Sequence, residues 1–299
     1  MTSVPHVDPS PRRNPGRRIS TFFVRHERAR LGGLLAAPLG WMLVIYLGSL
    51  FVLFLAAFWS IGGILGTEIV HTWTLDNFRE LADEPVYRDV AVRTITMAIY
   101  VTVADAVLAF PLAYYMARVA TPRSRNILVV AVLMPMLASY LVKAYIWRTM
   151  LGQQGIINWL LSPFGLEIQG KSTFGLWLAF TYLWLPLMIL PIYAGLERIP
   201  HSLLEASADL GARSLRTFWK VTLPLVFPAL VAGSIFTFSL TLGDYILPSL
   251  IADQQFIGTL IYGDRGTNLP VAAAYAMVPV AVMTAYLLVA KRLGAFESL

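Results

Sequence analysis

Long charge-free runs, each broken by a short polar segment, set the pattern of this chain. Leu31 to Thr67 carries no charged residue, and Thr94 to Ala117 carries one, Asp105. Asn126 to Val142 is clean and continues past Lys143. Ser172 to Leu196, Val221 to Gly243 and Gly266 to Ala290 are also free of charge. Crossing the hydrocarbon as a helix takes about 20 apolar residues. The six runs therefore predict six transmembrane helices. They are continuously apolar rather than alternating, and too long for strands, so the spans are read as helical. The expected organisation is an N-terminal tail over 1–30, a first helix over 31–61 and a polar connection over 62–90. A five-helix core follows over 91–290, and it includes a charged segment over 197–222. A short tail over 291–299 closes the chain.

Composition agrees with this pattern. Of 299 residues, 57% are hydrophobic and 13% charged, about half the charge of an ordinary soluble domain. No cysteine is present, which excludes disulfides, thiolate metal sites and cysteine nucleophiles. The four histidines (His6, His26, His71, His201) fall outside the apolar runs, which argues against an enzyme embedded in the bilayer. The net charge of +6 is concentrated rather than spread, with seven arginines in the first thirty residues. That distribution suits a juxtamembrane arm that meets lipid and sets orientation, not a nucleic-acid surface. Arg118, Arg123 and Arg125 fall in the second connection, Arg198, Arg213, Arg216 and Lys220 in the fourth, and Lys291 and Arg292 at the C-terminus. The first connection has two arginines against six acids. The positive-inside rule then puts both termini and the 197–222 segment in the cytoplasm.

One motif misleads. Residues 165–172, GLEIQGKS, fit the phosphate-binding pattern GxxxxGK[ST]. That pattern cradles phosphate only between a buried strand and a helix. Here LLSPF precedes it, no soluble α/β domain surrounds it, and the topology puts it outside the cell.

The charged segment EASADLGARSLRTFWKVTLP, Glu205 to Pro224, is the informative one. Ser202-Leu-Leu-Glu205 has capping-box spacing and predicts a helix starting at Ser202. Leu203, Ala206 or Ser207, and Leu210 share one face, Asp209 is a second acid, and Gly211 is a stop signal. A second short helix over 214–220 is expected before Leu223-Pro224. Helices this short are marginal alone and make sense when docked onto something.

At these residues the chain resembles the permease subunits of type I ABC importers. Their EAA motif reads Glu-Ala-Ala, three residues, Gly, nine residues, Ile-x-Leu-Pro. Here Glu205-Ala206-Ser207, Gly211 and Val221-x-Leu223-Pro224 keep both spacings, with Ser207 for the second Ala and Val221 for Ile. The resemblance implies an all-α membrane protein of six transmembrane helices with the MetI-like fold. It implies that Glu205, Ala206, Ser207, Asp209, Leu210, Gly211, Leu223 and Pro224 form the ATPase-coupling loop. It also implies partners: an ABC ATPase subunit, present as a dimer, a second homologous permease and an extracytoplasmic solute-binding protein. No cofactor belongs to this chain, since ATP and magnesium are bound by the partner, and no catalytic centre is expected. The runs YRDVAVRT (87–94) to PLAYYMAR (111–118), MPMLASYLVKAYIWRTMLGQQGIIN (134–158), LPIYAGLERIP (190–200) and TLGDYILPSLI (241–251) are similar to the spermidine/putrescine branch. That branch shares its look with permeases for ferric iron, thiamine, opines and phosphonates. A secondary transporter ranks lower, because it would want coupling-ion groups in repeated halves.

Candidates for the path of the cargo are Asp105, Tyr140, Tyr182, Trp184, Asp244 and Tyr245. Acids and aromatic faces suit a polyamine through ion pairs and cation–π contacts. Lys143 and Arg148 would suit an anion better, and an interfacial belt or helix packing is the plainer explanation of the aromatics.

Overall fold

A computed structural model of the chain describes residues 35–62, 68–168 and 170–292. The expected tail over 1–30 lies outside the described residues; of the expected tail over 291–299, Lys291 and Arg292 belong to the last helix and 293–299 lie outside the described residues. Two compact units divide at residue 55.

The first unit holds the helix α1 (Leu35–Ala56), with a π-turn over Met42–Leu47. It is long and apolar enough to cross a membrane. The apolar run continues to Ile61, but the helix ends at Ala56.

In the second unit the chain after Ala56 becomes a short antiparallel hairpin, β1 (Ser60–Gly62) and β2 (Glu68–Val70), with Ile61 opposite Ile69. The buried side chain of Asn77 donates to the carbonyls of Ala57 (2.8 Å) and Trp59 (2.7 Å). Those carbonyls have no helical partner, and this amide satisfies them at little cost in exposure. Asn77 belongs to α2 (Asp76–Asp83), which leads into α3 (Pro85–Val119).

Next come α4 (Pro122–Leu137), α5 (Tyr140–Met150), α6 (Ile156–Leu161) and α7 (Thr173–Glu197). The short α8 (His201–Asp209) precedes α9 (Ser214–Gly243), and α10 (Ile246–Ile251), α11 (Ile257–Asp264) and α12 (Leu269–Arg292) complete the unit. Among the described residues, α1, α3, α7, α9 and α12 are long and apolar enough to cross a membrane. The third expected run is not one straight helix: it is α4 and α5, which meet at 92°. Ala138 and Ser139 are extended there, three residues after Pro135. Lys143 explains itself at this break. Its ammonium donates to the Pro135 carbonyl at 3.2 Å and so serves the backbone freed at the end of α4.

Helices α3, α7 and α9 pack on one another as the centre of this unit. The buried stripe of α3 runs Met97, Val101, Asp105, Ala109, Ala113, at four-residue spacing on one face. Asp105 separates two apolar clusters. One contains Val101, Phe180, Leu247 and Phe256. The other contains Ala109, Met188, Ile192 and Val226.

The GLEIQGKS run has no phosphate-binding context. It follows α6 and a 3₁₀ turn (Ser162–Phe164) rather than a strand. Ser172 instead caps α7, accepting from the Gly175 N–H at 3.0 Å.

Candidate functional site

The motif segment folds as α8, a sharp stop and the start of α9. The helix begins at His201, one residue before the expected start, and no side chain caps it. The Ser202–Glu205 box is therefore not formed. Pro200 takes the N-cap place with an extended backbone, and its carbonyl accepts from Leu203 N–H. The other end follows the sequence. Gly211 has φ +76°, Gly211 N–H donates to Ala208 and Ala212 N–H to Ser207. These paired bonds form the Schellman arrangement, which needs a left-handed residue at this place. The second short helix expected over 214–220 is not separate. It is the first turns of α9, which passes through a π-turn (Phe218–Thr222) into Leu223-Pro224. Pro224 has no N–H, so the widened turn before it accommodates the missing helical bond.

α8 buries none of its residues. Leu210 is 89% exposed and Trp219 60%. Glu205 and Asp209 form no ion pair among the described residues. Where the family pattern has alanine, the Ser207 hydroxyl lies 2.9 Å from that of Thr217, tying α8 to the first turn of α9. Phe218 then meets Phe110 of α3 edge-on at 5.2 Å.

A second set of contacts fixes the approach to α8, and sequence reasoning missed it. Arg118, in the π-turn closing α3, donates to the carbonyls of Leu196 (2.5 Å) and Ile199 (2.8 Å). It thereby caps the end of α7, where carbonyls lack helical partners. Arg125 pairs with Glu197 at 3.0 Å, and Tyr193 donates to the same carboxylate at 2.5 Å. The sequence offered these arginines only as orientation charges. Their one local signal was Glu197, the acid that ends a charge-free run.

At the opposite end of α9 the candidate path residues divide into groups. Asp244 ends that helix; one carboxylate oxygen accepts from Ile246 N–H at 2.8 Å and the other from the Tyr140 hydroxyl. Tyr140 opens α5 just after the break and stacks on Trp184 of α7, with centroids 6.0 Å apart and planes at 8°. Asp244, Tyr140 and Trp184 thus join three helices. The backbone at 244–245 is held tightly: a Cβ on Gly258 would come within 2.5 Å of the Asp244 carbonyl oxygen. Tyr245 stacks on Tyr262 at 4.4 Å. Tyr182 packs on Trp147 at 5.4 Å. Asp105 belongs to none of these groups. It is fully buried, and among the described residues neither of its carboxylate oxygens has a hydrogen-bond partner. The Trp184 indole N–H and the Thr181 hydroxyl are also buried without one.

Comparison with known proteins identifies the family. Residues 109–296 match the family described as binding-protein-dependent transport system inner membrane component. The chain is 44% identical to the inner membrane ABC transporter permease protein YdcU of Escherichia coli (strain K12), over 97% of this chain and 98% of that protein. It is 30% identical to the spermidine/putrescine transport system permease protein PotB of the same organism, over 63% of this chain and 70% of PotB. Its fold resembles a chain of the bacterial alginate ABC transporter in complex with alginate pentasaccharide-bound periplasmic protein. The TM-score there is 0.70 at 18% identity, covering 91% of this chain and 96% of that one. A chain of the MetNI methionine ABC transporter matches with TM-score 0.54 at 17% identity, over 69% and 94% of the two chains. These likenesses set aside the secondary transporter. The chain belongs to the inner-membrane permease components of binding-protein-dependent ABC importers: a multi-pass transport subunit, not itself the ATPase.

Proposed function

We propose that this permease imports polyamines, spermidine or putrescine, delivered by an extracytoplasmic solute-binding protein. It works beside a second homologous permease and on two copies of an ATPase subunit, which bind the ATP and magnesium. Both termini face the cytoplasm, as does α8. The observation that carries the reading is the exposed α8 with its glycine stop. A helix of nine residues with no buried side chain gains its stability from a neighbour, and the ATPase subunit is that neighbour. Leu210 and the flank bearing Glu205 and Asp209 make the contact, Ala206 and Ser207 let the partner approach closely, and the backbone stop at Gly211 passes movement to α9 by way of Leu223 and Pro224.

Polyamine cargo is supported by the kinship with PotB and by the chemistry of the residues at the other end of α9. Asp244, Tyr140, Trp184, Tyr182 and Tyr245 offer one carboxylate and several aromatic faces, which suit ammonium groups on apolar linkers. Asp105 lines the same path deeper in the bilayer. A buried carboxylate without a hydrogen-bond partner costs free energy, and a role on the path accounts for its being kept.

The test uses the reconstituted complex. ATP hydrolysis is measured with binding protein that is empty or loaded with spermidine or putrescine. Stimulation by the loaded form is expected, with loss in a stably inserted Glu205→Arg variant. Unimpaired uptake by that variant would refute the coupling role. Hydrolysis without a polyamine response would move the cargo to ferric iron, thiamine, an opine or a phosphonate.

A further inference from the structure

Beyond Tyr245 the ring stack does not end in solvent. Tyr262 of α11 lies on Tyr245 with planes at 11°, and the Arg265 guanidinium carbon sits 3.5 Å from the Tyr262 ring centroid. Arg265, Tyr262 and Tyr245 therefore form a column whose base adjoins Asp244 in the chain. The column is open: Tyr262 is 42% exposed and Tyr245 37%. Arg265 makes no ion pair with an acid among the described residues, although Asp264 precedes it. What holds its charge is the aromatic face. Its backbone is pinned by the last turn of α11, where its N–H donates to Ile261. Arg265 is itself exposed, between the exposed Gly263 and Gly266, so its side chain has room to swing away.

A tyrosine face attracts a cation through its quadrupole, and it attracts an ammonium and a guanidinium alike. The exposed side of Tyr262 accommodates one of them at a time. A tethered arginine competes at high effective concentration with any cation arriving from solution.

We infer that Arg265 is a built-in stand-in for the cation of the cargo, covering the Tyr262 face at the mouth of the Asp244 cluster until a delivered ammonium displaces it. The choice of an ammonium as the displacing group rests on the polyamine reading above. Free cations at low concentration then fail to enter, whereas cargo released at high local concentration from a docked binding protein succeeds. Arg265 thus acts as a specificity filter on the cation path rather than as a binding residue for an anion.

The experiment compares wild type, Arg265→Gln, Tyr262→Leu and the double variant, each as the complete complex in lipid nanodiscs. Binding of tetramethylammonium and of putrescine is followed by intrinsic tyrosine and tryptophan fluorescence. Removing the tethered cation is expected to tighten both probes about two- to fivefold, the range of one exposed cation–π contact. The double variant should lose that gain, because the ring itself is gone. Unchanged or weaker binding in Arg265→Gln overturns the proposal, and so does a gain that survives in the double variant. Methylphosphonate serves as the anionic probe: binding that requires Arg265 would make it an anion site and likewise overturn the proposal. Tetramethylammonium reports on the ring face whatever the natural cargo is. A failure of the polyamine reading shows instead as absent ATPase stimulation by polyamine-loaded binding protein.

Discussion

The two ends of α9 are held by different means. At the Ser214 end, α8 and its stop are shaped by backbone hydrogen bonds and one hydroxyl pair, while Glu205, Leu210 and Trp219 face outward. At the Gly243 end, side chains do the fixing: Asp244, Tyr140 and Trp184 bind one another across three helices. The difference teaches where each end can meet another molecule. A segment held by its backbone leaves its side chains available for a partner protein. A segment held by its side chains offers a small ligand only what the internal contacts leave over, ring faces and unpaired lone pairs. Arg118 links the first end to the core by capping α7 just before α8.

The contrast can be broken from the backbone side first. Gly211→Pro forces φ near −65° on a residue that sits at +76°. The Schellman bonds are lost, and transport and binding-protein-stimulated ATPase should fall by ~10-fold or more with insertion unchanged. Retained coupling in an inserted Gly211→Pro complex would show that the stop does not set the pose of α8. Arg118→Met comes next. It removes the guanidinium donor from the Leu196 and Ile199 carbonyls and leaves Leu196 only the Ile199 N–H at 3.3 Å, a loss of ~1–3 kcal/mol. The melting temperature of the purified complex should drop, and Arg118→Lys should restore part of it, since an ammonium supplies donors without the planar fork.

On the side-chain side the expected effects are smaller. Tyr140→Phe and Asp244→Asn, taken singly and together in a double-mutant cycle on thermal stability, should give a coupling of ~1 kcal/mol, in the range of hydrogen bonds between membrane helices. Additive losses would mean that the two groups do not hold each other. Ser207→Ala, which restores the alanine of the family pattern, should cost ~0.5 kcal/mol or less, because water replaces the hydroxyl partner at a half-open place. A large loss of coupled ATPase in this variant would make the hydroxyl pair, rather than the backbone, the link from α8 to α9.

Several of these residues were legible in the chain and others were not. Gly211 announced a left-handed stop because only glycine adopts that conformation freely. The capping box at Ser202 failed because Pro200 already fixed an extended residue ahead of the helix, and the helix began directly after it. Lys143 read as a charge in search of an anion. In the fold it donates to the Pro135 carbonyl where α4 and α5 bend apart, and Pro135 was the local hint of that bend. Arg118 carried no signal of its role, since its partners are carbonyls about eighty positions away and every residue has a carbonyl.

What the sequence by itself determined is the set of apolar stretches, their helical nature, the motif that joins the chain to its family and the glycine stop of α8. These depend on composition and short spacing, through the cost of placing backbone and charge in hydrocarbon. Only the tertiary structure decided that the third stretch bends by 92°, that Tyr140, Trp184 and Asp244 meet while Asp105 stays apart, and that Arg265 rests on Tyr262. Such contacts join residues distant in the chain, and a one-dimensional pattern holds no record of which helix faces come together.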